Sequence, residues 1–447
     1  MTKVVLLVST YDLGRQPFGL ASAAAALRDV GLDVECVDLS RTKLVDETIR
    51  RASAVAFFLP MHTATRLAMP VIDRVRALNP DARLAAYGLY APLNAALLRE
   101  HGVSIVEGGE FEDGLVAAIA GPRDGTEINR NDVPRVRFRV PDRAGLPALT
   151  RYATLQYGDQ RRTVGYTEAT RGCKHRCRHC PIVPVYDGRF RVVPVDIVLA
   201  DVRAQVAAGA RHITFGDPDF LNGPGHAMSV VDRFAAECPG VSYDVTIKVE
   251  HLLRHPEALP RLRDTGCAFV TTAVESVDDR VLALLDKGHT RADFERVVAR
   301  AREVSLPLAP TFVAFTPWTS VDGYCDLLQT IDRLGLVDHV APIQLAIRLL
   351  ITEGSRLLEL PDIRTLVGQF NARTLTYPWI HQDPRLDDLQ RTVEALVGVN
   401  LSVPRRSVFA RIWELAHDAA GLIAPWAVDL DIPARATIPY LNEPWYC

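Results

Sequence analysis

Two blocks of this chain alternate short apolar runs with amphipathic stretches, and that alternation restricts the fold more than any other feature. In residues 3–120 the apolar runs fall at 4–9, 33–39, 54–60, 83–90 and 104–107, with helical patterns at 20–30, 65–78 and 93–101. Strands alternating with helices across short loops imply right-handed crossovers, and hence an α/β fold with a doubly wound parallel sheet that binds ligands at its carboxyl edge. In residues 161–350, runs at 163–167, 212–215, 243–249, 268–274, 308–314 and 343–347 alternate with helical patterns at 195–208, 228–237, 257–263, 292–303 and 323–334. Six such units predict a partial (β/α)6 barrel with its chemistry at the C-terminal strand ends.

Residues 121–160 are rich in Arg, Asp and Pro without a period, and read as a linker or strap. Residues 351–447 are irregular, with helical patterns at 385–397 and 407–421 and an extended end. The expected division is therefore 1–120, 121–160, 161–350 and 351–447, in line with about three folding units for 447 residues.

The charges nearly cancel, 51 Lys+Arg against 54 Asp+Glu for a net −3, which gives no case for a nucleic-acid or membrane partner held by bulk charge. No run approaches the roughly 20 apolar residues of a membrane span, and the opening run reads as a strand rather than a secretory signal. A cytoplasmic protein is expected, whose cysteines are thiols or metal ligands rather than disulfides.

Three of the eight cysteines fall together, in Arg171-Gly172-Cys173-Lys174-His175-Arg176-Cys177-Arg178-His179-Cys180. Cys173, Cys177 and Cys180 on one loop can hold three irons of a 4Fe–4S cluster and leave the fourth open to a chelating ligand. Lys174, Arg176 and Arg178 would lower the thiol pKa values. The other reading is zinc completed by His175 or His179, but structural zinc favours two CxxC-type pairs and no second pair is present.

The CxxxCxxC triplet resembles the defining motif of the radical S-adenosylmethionine (SAM) enzymes, and the resemblance covers roughly residues 160–350. It implies that Gly216 and Asp217, in Gly216-Asp217-Pro218-Asp219, lie against the SAM amino group. It likewise implies that Glu275 and Ser276 contact the ribose or amino-acid part, with Lys248 pairing the SAM carboxylate. Asp286-Lys287-Gly288-His289-Thr290 also fits the resemblance. His179 stands where many members have an aromatic residue. In the family a reduced cluster cleaves SAM to a 5′-deoxyadenosyl radical, which a barrel interior shields from water. The bland readings are loop and cap residues for the two aspartates, a helix N-terminal charge for Glu275 and a solvated strand end for Lys248.

A doubly wound domain ahead of such a barrel is similar to the cobalamin-binding, flavodoxin-like domain of one radical SAM subgroup. Pro17-Phe18-Gly19-Leu20 followed by 22–27, Gly31 and 34–38 resembles its first βαβ unit, and Gly108-Gly109-Glu110 resembles its Gly-Gly-Glu turn. The resemblance implies that loops 10–15, 61–64, 88–90 and 108–111 face the corrin, with Thr10, Leu13, Met61, His62, Thr63, Gly88, Gly108, Gly109 and Glu110 as contacts. The DxHxxG pattern is absent, because Asp12-Leu13-Gly14-Arg15 lacks its His, and His62 is then an axial ligand, a spacer or an ordinary loop histidine. A flavodoxin-like domain without a cofactor is the alternative.

The chain ends Pro444-Trp445-Tyr446-Cys447. Together with residues 86–94 and 180–190, this end resembles the radical SAM group with a CUAEP or CCAEP tail, where U is selenocysteine. The resemblance implies that Cys447 opens the tail motif as a catalytic residue, with an in-frame UGA and Ala-Glu-Pro codons beyond it. A thiol without a role is the plain alternative. Cys36 and Cys267 read as small core residues, and Cys238 and Cys325 as structural.

The expected protein is thus a cobalamin-dependent radical SAM enzyme with three cofactors: a 4Fe–4S cluster, SAM and cobalamin. It would act on a small-molecule substrate with an external electron donor of flavodoxin or ferredoxin type. Methylation of an unactivated carbon is the expected outcome. A rearrangement, cyclisation or sulfur/selenium reaction is the runner-up, and a non-catalytic iron–sulfur or corrin carrier is the third reading.

Overall fold

The computed structural model describes residues 4–121, 128–130, 132–400, 403–423, 426 and 439–442. β1 (Val4–Ser9), β2 (Asp33–Asp38), β3 (Ala52–Phe58), β4 (Arg83–Tyr87), β5 (Ile105–Glu107) and β6 (Ile128–Arg130) form a parallel sheet in the order β2-β1-β3-β4-β5-β6. The 2-1-3-4-5 core of that order is the flavodoxin-like doubly wound arrangement, with its switch point between β1 and β3. All of β1 is buried because helices cover both faces. Leu6 and Val8 join Phe57, Ile72 and Leu84 on one side, and Val5 and Leu7 join Leu20, Ala24 and Ala56 on the other. An unbroken apolar run suits a strand covered on both faces. The alanine-rich helix Phe18–Asp29 lies so close that a Cβ on Gly19 would come within 2.2 Å of the Phe58 ring.

The second sheet is built from β7 (Thr154–Tyr157), β8 (Gln160–Thr167), β11 (His212–Phe215), β12 (Ser242–Thr246), β13 (Cys267–Glu275), β14 (Leu308–Phe312) and β15 (Tyr440–Asn442). A separate antiparallel pair, β9 (Thr170–Gly172) and β10 (Phe190–Val192), frames the cysteine loop. The large sheet runs β14-β13-β12-β11-β8-β7-β15; its first five strands are parallel, and β7 and β15 add antiparallel at one edge. It is a curled half-barrel rather than a closed one.

The sixth barrel strand expected at 343–347 does not form. Pro342–Leu345 is a 3-10 turn, and only an isolated parallel bridge, Phe315 to Arg348, continues the pairing. Proline has no N–H for a ladder, and the Gln344 side chain takes the Phe312 N–H at 3.1 Å where a neighbouring strand would have supplied a carbonyl. The stretch read as a linker also differs: β6 extends the first sheet and β7 the second. Between them Arg143 binds Asp201 through two nitrogens at 2.9 Å, the Tyr166 carbonyl at 2.7 Å and Gln16 at 2.8 Å, so it strings the two sheets together.

Beyond the barrel, helices Pro384–Val399 and Arg405–Ala419 extend the barrel's core through Leu389, Val393, Phe409 and Ile412. A smaller cluster of Leu349, Ile351, Leu357, Ile363 and Trp379 packs on Val281 and Leu285. No helix among the described residues is long and apolar enough to cross a membrane.

Candidate functional site

The cysteine loop leaves β9 through Gly172, at φ 76°. A Cβ there would lie 2.3 Å from the Tyr186 ring and 2.6 Å from the Arg189 carbonyl, so glycine is required twice over. Cys173 and Cys177 are buried and Cys180 is half-buried, all as free thiols. Asn222 pins the start of the loop by accepting from Lys174 N at 3.2 Å and donating to the Gly172 carbonyl at 3.1 Å. Further along, the Cys180 N–H returns to the Cys177 carbonyl at 3.2 Å.

The basic neighbours do not act as expected. Arg176 pairs with Asp187 at the surface, and Arg178 binds the Ala283 and Leu284 carbonyls at the end of helix Asp279–Leu284. With those charges spent elsewhere, burial pushes Cys173 up to about 12 and Cys180 up to about 11. The cations that do approach the thiols come from distant segments, Lys248 after β12 and Lys287 after the helix Asp279–Leu284. Lys248 Nζ lies 3.7 Å from Cys177 Sγ. Burial opposes the charge on Lys287, but Glu275 and then the Cys177 thiol outweigh it and raise its pKa.

Glu275 ends β13 at φ 70°, beside a register shift against β14. A non-glycine residue in that region stores strain, which clusters at functional sites. Its carboxylate receives Lys287 Nζ at 3.1 Å and His179 Nε2 at 3.3 Å. Burial would raise its pKa, yet Lys287 and His179 hold it well below the usual carboxylate range. Ser276 Oγ accepts the Asp278 N–H at 3.1 Å. A Cβ on Gly216 would meet the Tyr166 hydroxyl at 1.7 Å. Asp217 turns inward: one oxygen takes Ala169 N at 2.9 Å, the other Thr170 Oγ1 at 2.6 Å, and burial lifts its pKa to about 7. His289 is buried beside this group; burial, then Lys287 and Lys248, lower it to about 4.

At the β1/β3 switch point, Thr10 Oγ1 donates to the Ala64 carbonyl at 2.7 Å, and the Met61 carbonyl takes Thr65 Oγ1 at 2.9 Å. Leu13, at φ 48°, precedes Gly14, whose carbonyl receives Ala153 N at 2.8 Å. His62 opens helix His62–Leu78, with half-buried Thr63 after it. His62 Nε2 meets the Thr374 carbonyl at 2.6 Å while Nδ1 stays unbonded, and burial lowers its pKa. Gly88, at φ 103°, gives its N–H to the Glu107 and Gly108 carbonyls. Gly108 lines a cavity of about 290 Å³ with Glu107, Asp113, Asp132 and Arg135.

The Gly-Gly-Glu turn is tied to the cysteine loop. A Cβ on Gly109 would lie 2.2 Å from the Tyr186 hydroxyl, which also donates to Glu110 at 3.0 Å. Arg171, two residues before Cys173, reaches Glu112 at 2.7 Å, Glu168 at 2.9 Å and Glu110 at 3.7 Å. Cys447 lies outside the described residues. Cys36, Cys238, Cys267 and Cys325 are buried thiols, with Cys325 Sγ directed at the Ala416 carbonyl. Arg171, Asn222, Tyr186 and Lys287 carry much of this geometry and were not singled out individually. Their partners lie in other segments, so no local pattern marks them.

The donor set fits an iron–sulfur cluster with an open iron: three thiols on one loop, two ammonium groups beside them and no fourth cysteine on that loop. The strand ends around it, with a carboxylate at strained backbone and a buried imidazole, suit a polar cofactor such as SAM.

Comparison with known proteins agrees with this geometry. Residues 167–320 match the radical SAM superfamily. The chain is 21% identical over 267 residues to the ribosomal protein uS12 methylthiotransferase RimO of Geobacter sulfurreducens, covering 53% of this chain and 56% of that one. It spans about half the length of the curated relatives it matches. Its fold is similar to the cobalamin-dependent radical SAM enzyme OxsB with aqua-cobalamin and SAM bound, at TM-score 0.69, 12% identity and coverage of 94% of this chain and 72% of that one. It is also similar to the radical SAM methyltransferase TsrM of Kitasatospora setae with cobalamin and a [4Fe-4S] cluster bound, at TM-score 0.58, 19% identity and coverage of 75% and 71%. Residues 167–320 thus form a radical SAM domain, and the overall fold of the chain is similar to that of cobalamin-dependent radical SAM enzymes.

Proposed function

We propose that the protein is a cobalamin-dependent radical SAM enzyme that transfers a methyl group to an unactivated carbon of a small molecule. The observation that carries this reading is the bonding of the Gly-Gly-Glu turn to the cysteine loop through Tyr186 and Arg171. It faces the binding edge of a flavodoxin-like sheet toward the cysteines, as a methyl donor and a radical source on one substrate require.

When bound, the cluster with SAM supplies a 5′-deoxyadenosyl radical, and cobalamin supplies a transferable methyl group. In this reading Cys173, Cys177 and Cys180 hold the cluster, and Lys248 and Lys287 offset its negative charge. Gly216, Lys248, Glu275 and Ser276 surround SAM. The Asp217 side chain is committed to Ala169 and Thr170, so it contributes through its main chain and by fixing Gly216. Thr10, Leu13, Met61, His62, Thr63, Gly88 and Gly108 face the corrin. Gly109 and Glu110 brace that edge against Tyr186, and His62 is held through its Nε2 on the Thr374 carbonyl. An external one-electron reductant of flavodoxin or ferredoxin type recharges the site.

The test needs no substrate. Protein reconstituted anaerobically with iron, sulfide and hydroxocobalamin is expected to keep its corrin through gel filtration. With reductant and SAM it is expected to form S-adenosylhomocysteine in proportion to bound corrin, alongside 5′-deoxyadenosine. 5′-Deoxyadenosine alone would favour the non-methylating reading, and loss of the corrin on the column would refute the cobalamin assignment.

A further inference from the structure

Beside the cysteine loop lies a second group of metal-type donors that the proposed reaction does not use. His175 sits in the loop itself, Asp219 follows β11, and His251 lies in helix Val249–Arg254 after β12. One ring nitrogen of each histidine and one oxygen of Asp219 all lie within 4.8 Å of one another. Asp219 Oδ2 is 2.7 Å from His251 Nδ1 and 3.5 Å from His175 Nε2, and the two Nε2 atoms are 3.3 Å apart.

Asp219 and His251 have no solvent exposure, and His175 has little. The two imidazoles are the neighbours of Asp219 Oδ2, and each contact is an ion pair only if its ring is protonated. The other Asp219 oxygen is occupied, accepting Leu221 N at 3.2 Å. A buried carboxylate is costly unless its charge is paired, and a cation shared by the three converging donors pairs it whether or not the rings are protonated. His175 also has the companion that a ligating histidine needs: its Nδ1 lies 3.5 Å from the Glu250 carboxylate, the outer partner that fixes ring orientation and raises ligand basicity.

We propose that His175, Asp219 and His251 form a second metal site, for a borderline divalent cation of the zinc type, separate from the cysteines. Two imidazoles and one carboxylate suit such a cation, whereas magnesium and calcium prefer all-oxygen shells. Three protein ligands leave a position open to water or another small donor. The cation would clamp the cysteine loop to the segments that follow β11 and β12.

Zn2+ is the probe. Full-length protein is reconstituted with iron, sulfide and hydroxocobalamin, incubated with Zn2+, passed through a desalting column with a weak chelator, and analysed for zinc and iron by mass spectrometry. One zinc per chain is expected beyond the cluster iron. His251→Ala and His175→Ala should lose it with iron unchanged. Glu250→Gln should weaken it by about 10-fold or more in competition with a chromophoric chelator. Asp219→Asn, which keeps side-chain volume, repeats the test should an alanine variant fail to fold. No retained zinc in the wild type, equal zinc in wild type and variants, or zinc lost only with Cys173→Ala would each overturn the proposal. The last two would assign the metal to adventitious or cysteine binding.

Discussion

Arg171 Nη1 lies 2.7 Å from Glu112 Oε1, and this ion pair joins the strand that launches the cysteine loop to the helix that follows β5 in the other sheet. The guanidinium also sits over the rings of Phe18, Phe111 and Phe138, at 5.6, 5.5 and 5.3 Å. Its charge is taken out of water, so the surrounding carboxylates depend on it. Arg171→Met should cost about 3–5 kcal/mol in urea unfolding by leaving buried carboxylates unpaired. Arg171→Lys, which keeps the charge but loses the fork, should cost less than Arg171→Met. Equal costs for the two would mean that the charge is not what matters.

Glu110 gives that same junction a pH signature. Burial raises its pKa from the ordinary 4.5 to about 7. The folded state therefore binds a proton between those values that the unfolded chain has released. Its contribution to stability is greatest below about pH 4.5 and is lost as pH rises toward 7, by up to about 3 kcal/mol. Melting temperatures of wild type and Glu110→Gln measured from pH 5 to 8 should show the variant gaining on the wild type as pH rises. A difference that stays constant with pH would rule this out.

Two glycines at positive φ separate backbone cost from crowding. Gly31, at φ 82°, has nothing within 4 Å of its missing Cβ, whereas Gly172 would meet Tyr186 and Arg189. Gly31→Ala should cost about 1–2 kcal/mol from conformation alone. Gly172→Ala should cost a further 1–3 kcal/mol or so from overpacking, and should lower iron incorporation, which Gly31→Ala should not. Similar losses in both would show that the fit around Tyr186 has slack.

Glu275 and Lys287 should behave as one unit. Glu275→Gln and Lys287→Met each strand the other's buried charge, and the double variant removes both. A double-mutant cycle in denaturant should therefore return a coupling of about 1–3 kcal/mol. The Glu275 pKa is depressed in the fold, so its stabilisation is present above about pH 4.5 and falls away as pH drops through the lower folded value. Additive single losses would place the two groups in separate environments.

Each of Cys173→Ala, Cys177→Ala and Cys180→Ala should abolish both iron retention and 5′-deoxyadenosine formation, while Cys36→Ala and Cys238→Ala should leave both intact. Iron analysis and chromatography of the nucleoside read the two outcomes side by side.

The parts of the fold that the sequence made legible are those whose signal is local. β1 and β11 stand out because an apolar run is flanked by polar turns at both ends, and the cysteine spacing needs no context at all. The sixth barrel strand looked the same by composition, but a side chain from its own segment, Gln344, ends the ladder at Phe312. β7 and β15 are short and partly polar, and they become strands by adding in turn to the edge that β8 presents. In the site, Arg171 reaches Glu110 and Glu112 about sixty residues upstream, and His175 meets His251 at a separation of 76 residues. Contacts of that kind belong to the fold and leave no pattern in the chain.

Tyr186 touches both of the glycines that shape the proposed site, Gly109 in the turn after β5 and Gly172 at the end of β9, with its hydroxyl on Glu110. The ring is therefore a gauge block. Its thickness sets the gap between the Gly-Gly-Glu turn and the cysteine loop, and neither side can advance without displacing it. A substrate bound between them would meet a fixed spacing rather than a closing jaw. Selectivity for the reacting carbon would then be a matter of reach, read against one aromatic side chain.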